Sequence, residues 1–160
     1  MTPTPAPEGF KLRHLGDGFM KTNGPIYYRR DGDQLVLGFR VEERHCNPLG
    51  WCHGGMLATL ADMVCAVCAH VGSEAAKNRF LPTINLQVDY VASARLGDWV
   101  QGQATVIKAT RSMIFMQGML MAGEGHSLEP VARISGIFKI GPAFDPATGQ
   151  TVPATPKAQP

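Results

Sequence analysis

The sequence predicts an α+β domain in which an antiparallel sheet wraps around one long helix. Several segments alternate apolar and polar residues with a period of two, one segment repeats apolar residues at helical spacing, and short turns separate the strands. Gly24 to Arg30 reads as a first strand. Asp31-Gly32-Asp33 turns the chain into Gln34 to Val41, where Leu35, Leu37, Phe39 and Val41 alternate with the other face. After a glycine-rich segment, Leu57, Leu60, Ala61, Val64, Cys65 and Cys68 mark a helix that is apolar nearly all round and is expected to be buried on several sides. Thr83 to Val91 then sets Ile84, Leu86, Val88 and Tyr90 against Asn85, Gln87 and Asp89. Gly97-Asp98 leads into Trp99 to Ala109, Thr110-Arg111 separates this from Ser112 to Met121, and Gly123 to Ser127 turns before Val131 to Ile140. One helix covers one face of such a sheet. The rest stays open at an edge unless a second copy buries it, so dimerisation is expected from the pattern.

A chain of 160 residues, 44% hydrophobic and 18% charged, suits one globular domain with a substantial core. Its ends are different in kind. Residues 1–9 hold three prolines and residues 141–160 five, with little to bury, so both are expected to be flexible flanks of a domain spanning 10–140. A net charge of +2 without any Lys/Arg block argues against a nucleic-acid partner. The N-terminus has neither the basic start nor the apolar run of a secretory signal. The apolar stretch from Met56 to Val71 carries Asp62 and His70 and is shorter than the roughly 20 residues of a membrane span. A cytoplasmic protein with no membrane association and four reduced cysteines is expected.

The chemistry concentrates in His45-Cys46-Asn47-Pro48-Leu49-Gly50-Trp51-Cys52-His53-Gly54-Gly55 and in the helix that follows. Gly54-Gly55 lets a ligand approach the backbone closely where the first helical N–H groups lack internal partners. Such a place stabilises a carbonyl oxygen gaining negative charge; it also fits a loop that merely needs glycines before a helix. Asp62 lies about two turns into the helix among apolar neighbours, which makes its carboxylate costly unless it is hydrogen-bonded or used. It reads as a general base or nucleophile, or as an Asp at the helix's one wet edge. Asn47 could hold a water or polarise a carbonyl, and could equally cap its turn. His53 could donate to a carbonyl or orient the loop.

Taken together, His45-x-Asn47-x-x-Gly50-x-x-His53-Gly54-Gly55 followed by Leu60-x-Asp62 resembles the signature of hotdog-fold acyl-CoA thioesterases, in particular the phenylacetate-degradation branch of the 4-hydroxybenzoyl-CoA thioesterase superfamily. Pro82 to Tyr90 resembles that family's strand after the helix, and Ala94-Arg95-Leu96-Gly97-Asp98 its next turn, so the likeness spans roughly 24–140. The resemblance implies a hotdog fold and hydrolysis of an acyl-CoA thioester, with a short-chain or aromatic acyl group expected. It implies Asp62 as base or nucleophile, Asn47 positioning water or thioester, and the Gly54 N–H polarising the thioester carbonyl. His53 falls beside it, and Thr83 falls where relatives carry a Ser or Thr that assists the water. It further implies that Asp62 and Thr83 of one subunit face Asn47 and Gly54 of its partner, in dimers that pair into tetramers. No cofactor is implied, because coenzyme A is part of the substrate.

Other signals carry less. Cys65-x-x-Cys68 has metal or redox spacing but lies on an apolar helical stripe, which favours core cysteines. His45, Cys46, Cys52 and His53 could in principle hold zinc, yet the thioesterase pattern explains them better, and no metal is expected. Met113, Met116, Met119 and Met121 fit either core packing or a pliable acyl wall. Lys108 and Arg111 flank a turn where they could meet the phosphates of coenzyme A, with Gly55 as a further substrate contact. Trp51 is bulky enough to narrow the acyl end of a pocket. The competing functions are a non-catalytic acyl-CoA binding or sensing protein on the same fold, and a hotdog hydratase, whose paired His and carboxylate this chain does not show.

Overall fold

The structure, a computed structural model, describes residues 5–14, 17–124, 127–148 and 150–152. In chain order it contains β1 (Lys11–Arg13), α1 (Phe19–Asn23), β2 (Ile26–Asp31), β3 (Gln34–Arg40), a 3₁₀ turn (Glu43–His45), α2 (Gly54–Gly72), β4 (Thr83–Tyr90), β5 (Trp99–Ala109), β6 (Met113–Glu124) and β7 (Ser127–Lys139). All strand pairings are antiparallel, in the spatial order β1-β2-β3-β5-β6-β7-β4. α2 leaves β3 and delivers the chain to the far side, so β4 is an edge strand that pairs, among the described residues, with β7 alone.

The expected α+β architecture is present, with two short additions. β1 has three residues, too few for an alternation to register. α1 has five and no buried residue, well below the length at which a helix holds itself together. Its place is set by the chain packed around it rather than by propensity.

The core lies between α2 and the inner face of the sheet. Leu60, Ala61, Val64, Cys65 and Ala69 of α2 are fully buried. They meet Leu37 and Phe39, Val100, Met116 and Leu120, and Ile134 and Phe138 in one cluster. The helix comes close because the sheet is hollowed beneath it. A Cβ at Gly102 would stand 3.1 Å from Val64 Cγ2, and one at Gly136 would stand 3.5 Å from Cys65 Cβ and 2.5 Å from the Phe138 ring. By length and a mean hydropathy of 1.6, α2 would pass for a membrane span; here the sheet covers its apolar side. Its polar interruption, Asp62, is half-buried and lies outside that cluster.

β3 departs from simple alternation, since Val36 and Arg40 on its second face are buried as well. The N-terminal segment explains this. Trp99 lies over Gly38, the Phe10 ring meets Trp99 edge-on at 4.8 Å, and Arg40 donates to the Pro5 carbonyl while its guanidinium stacks 5.5 Å above Trp99. The C-terminal flank is also partly engaged. Phe80 N–H donates to Pro142 O, Gly141 N–H to Phe80 O and Phe144 N–H to Asn78 O. The Phe144 ring lies 5.8 Å from His70. Residues 141–144 therefore pack where a loose tail was expected, because backbone pairing with 78–80 needs no apolar side chains. Residues 1–4 and 153–160, parts of the two expected flexible flanks, lie outside the described residues.

Two buried imidazoles link this packing to pH. His45 is 2% exposed; its Nδ1 accepts from Glu42 N–H at 3.0 Å and its Nε2 donates to Asn23 O at 3.1 Å, which ties the 3₁₀ turn to the end of α1. That bonding needs the neutral ring. Burial, and then the nearby Arg44, hold its pKa below the ordinary 6.5; burial lowers His70 likewise. A lowered histidine pKa means that the unfolded chain binds the extra proton first, so stability falls as pH drops through and below the ordinary value. Urea unfolding is expected to show lower stability at about pH 5.5 than at about pH 7, and a smaller difference in His45→Gln. A wild-type chain equally stable at both values would refute this account.

Candidate active site

The loop ahead of α2 is built around one amide. Asn47 Oδ1 accepts from the N–H groups of both Leu49 (3.0 Å) and Trp51 (3.2 Å), and Gly50, at φ +78°, closes the turn through its N–H to Asn47 O. Two donors on one atom make that atom the oxygen and leave the Asn47 NH₂ group without a partner among the described residues. The capping role and the capacity to donate to a ligand thus coexist in one side chain. Below the turn, Asn47 N–H donates to Trp51 O and His53 N–H to His45 O, with Cys46 and Cys52 paired between them. The Arg95 guanidinium stacks on the Trp51 ring at 4.7 Å.

His53 caps α2 from extended backbone, φ −62° and ψ 135°, and its Nδ1 accepts from Gly55 N–H at 2.9 Å. Its carbonyl takes the first helical bonds, from Met56 N–H (2.9 Å) and Leu57 N–H (3.3 Å). The Gly54 N–H has no acceptor among the described residues. It is a free donor at the positive end of a nineteen-residue helix. Tyr90, at the end of β4, donates its hydroxyl to Gly54 O at 2.8 Å. Sequence reasoning counted Tyr90 only as an apolar strand residue. The alternation of the strand carries no signal that separates a bonded hydroxyl from an idle one.

Asp62 is half-buried on the same helix, and Thr83 Oγ1 donates to its Oδ1 at 2.7 Å. No cation or second donor reaches Asp62 among the described residues. The contact with Thr83 depends on an irregularity in β4. Leu86, Val88 and Tyr90 pair with Gly136, Ile134 and Ala132 on the inner face, whereas Asn85 pairs with Ile137 on the outer one. Strict alternation would turn Thr83 outward with Asn85. Instead the register shifts between Thr83 and Asn85, and Thr83 sits opposite the inward Phe138. A bulge at Ile84 has re-aimed one side chain.

Asp62 opens into a cavity of about 440 Å³ walled by Phe19, Met20, Gly55, Ala58, Thr59 and Met63. A neighbouring one of about 340 Å³ shares Phe19, Gly55 and Thr59 and reaches Asn23, Arg44, His45, Cys46 and His53. Both use α1, the element too short to be foreseen. A third cavity, about 490 Å³, lies on the outer face of the sheet among Gln87, Gln103, Gln117 and the Asp89–Arg133 ion pair. Its one carboxylate, Asp89, is held by Arg133 and Gln87, whereas Asp62 has no cation beside it among the described residues.

The predicted residues therefore fall into separate groups. Asp62 and Thr83 meet. His53, Gly54 and Gly55 form the helix head under Tyr90, and Asn47 stands in its own turn. Lys108 and Arg111 are exposed around the β5–β6 turn. That turn lies near the other end of α2, where Val106 touches Gly72, about 27 Å of helix away from Gly54. Cys65 and Cys68 belong to the core; burial pushes the Cys65 thiol up to about 12 and raises Cys68 too.

The sequence model of the thioesterase superfamily matches residues 49–129, a span that holds Gly54, Asp62 and Thr83 but stops short of Asn47. A candidate esterase of Pseudomonas aeruginosa is 35% identical over 139 residues, which cover 84% of this chain and 96% of that protein. Mouse acyl-coenzyme A thioesterase 13 is 27% identical over 86 residues, 52% of this chain and 57% of the mouse protein. Among solved structures, zebrafish thioesterase superfamily member 2 matches with a TM-score of 0.67 and 25% identity, over 79% of this chain and 89% of that one.

Proposed function

The chain belongs to the thioesterase superfamily, and from that premise we propose that it hydrolyses an acyl-CoA thioester, short-chain or aromatic in its acyl group, to the free acid and coenzyme A. That it is a thioester hydrolase follows from the family. The observation that carries the finer reading is Asp62 in a mostly apolar cavity, held through one oxygen by Thr83. The second oxygen, without a donor, is the one left to react.

The step balances in either of two forms. As a base, Asp62 takes a proton from water while the water oxygen bonds to the thioester carbon. As a nucleophile, its oxygen bonds to that carbon and water later opens the resulting anhydride. In both, the carbonyl electrons move onto oxygen, which the Gly54 N–H receives. The C–S bond then breaks, and the coenzyme A thiolate leaves and takes up a proton. The free NH₂ of Asn47 suits it to orient the thioester or the water, and His53 holds the glycine turn. Lys108 and Arg111 enter the proposal only as contacts for the phosphates of coenzyme A.

Asp62 and Gly54 of one chain are eight residues apart on α2, about 12 Å along its axis, too far to act on one carbonyl. The β4 edge supplies the remedy. Its outer N–H and C=O groups have no strand partner among the described residues, and Ile84 (55%), Tyr90 (52%) and the adjoining Val91 (61%) are exposed. A second copy paired antiparallel along β4 sets the Thr83 end of one strand beside the Tyr90 end of the other. That brings Asp62 of one subunit to Gly54 of the next. The exposed outer sheet face is then left for two such dimers to form a tetramer.

A thiol-release assay over a panel of acyl-CoA esters tests the activity. Release of coenzyme A from short-chain or aromatic esters is expected. Binding of those esters without release would overturn the proposal in favour of an acyl-CoA binding protein.

A further inference from the structure

We propose that Tyr90 is a positioning residue that aims the Gly54 N–H at the thioester oxygen; the inference rests on the reading of that N–H as the carbonyl-polarising donor. A glycine at the head of a helix is the softest place to mount such a donor, because nothing on its own side chain restrains the two peptide planes it joins. A donor contributes fully only within about 2.7–3.1 Å of the developing oxyanion, so its direction has to be held.

Four hydrogen bonds hold it. The carbonyl of the His53–Gly54 peptide accepts from Met56 and Leu57. In the next peptide, Gly54–Gly55, the N–H donates to His53 Nδ1 at 2.9 Å and the carbonyl accepts from the Tyr90 hydroxyl at 2.8 Å. The first three arise within the loop and helix. Tyr90 is the one anchor that comes from the sheet, and it fastens the helix head to the strand that also carries Thr83.

The ring adds to the fit. Its Cζ, Cε1 and hydroxyl oxygen lie 3.3–3.4 Å from where a Gly54 Cβ would stand, so the phenol fills the room that glycine leaves. Tyr90 is 52% exposed. Within a single subunit a phenol so exposed finds water as readily as a carbonyl, so the bond contributes little to the folding of that subunit. Its consequence is orientation.

The test is Tyr90→Phe, which keeps the ring and deletes the donor. With acyl-CoA as substrate, kcat is expected to fall about tenfold, with KM changed less than about twofold and the melting temperature within about 2 °C. The same change is then made in Gly54→Pro, where no N–H remains to be aimed, and no further loss in kcat is expected there. Unchanged kcat in Tyr90→Phe, or a change confined to KM, overturns the proposal. So does an equal loss in the Gly54→Pro background, which would place Tyr90 in direct contact with substrate. If Gly54→Pro is itself fully active, the donor reading fails instead, which keeps the two failures apart.

Discussion

Asp62→Asn is expected to lower kcat for acyl-CoA hydrolysis by about 10²–10⁴-fold, the range over which a positioned general base contributes. Asparagine is close to isosteric, and its carbonyl oxygen can accept the bond from Thr83. What is lost is the charge and the basicity of the second oxygen. Since no cation pairs with Asp62 among the described residues, neutralising it breaks no ion pair, and the melting temperature should hold or rise slightly. Thr83→Ala should cost less, because it frees an oxygen rather than removing the base. The measurement is steady-state thiol release beside a thermal melt. An Asp62→Asn enzyme with near wild-type kcat would remove Asp62 from the reaction.

Gly54→Pro is expected to lower kcat by about 10²–10³-fold, as for removal of one oxyanion-hole donor. Proline suits this site. Gly54 is the first helical residue, a position that proline tolerates, and His53 before it already has the extended backbone that proline demands of its neighbour. The N–H removed holds no bond within the described residues, so helicity by circular dichroism should be retained. The Tyr90 ring, 3.3 Å from the new Cβ, needs to yield by a few tenths of an ångström. The variant also tests whether the site is shared. Mixed with Asp62→Asn under conditions that exchange subunits, it should regain about a quarter of wild-type activity, since about half the dimers are mixed and each has one intact site of two. No recovery from subunits shown to have exchanged would mean that each chain works alone.

Most of the architecture was legible because long elements carry long patterns. α2 and β5 begin where the residues imply, at Gly54 and Trp99. β1 and α1 escaped because three and five residues hold too little periodicity, yet α1 supplies Phe19 and Met20 to the cavity beside Asp62. The pairing of Asp62 with Thr83 was implied by resemblance and could not have come from alternation, which points Thr83 the wrong way. Asn47 shows a different limit. Its residue type fitted capping and ligand contact equally well, and only the placement of Leu49 and Trp51 N–H separates the work of its oxygen from that of its nitrogen. Tyr90 hid because an inward aromatic residue looks the same whether its hydroxyl is idle or bonded.

The bulge at Ile84 makes the reactive carboxylate's environment a matter of counting. A strand assigns its residues to two faces by odd and even, and one extra residue exchanges the parity of everything beyond it. Here all that lies beyond, within the strand, is Thr83. An insertion or deletion of one residue between Leu81 and Leu86 would therefore leave the core strand in register while deciding whether Asp62 has a hydroxyl partner or none. Relatives that differ in length at this point would differ in chemistry even where every functional side chain is kept.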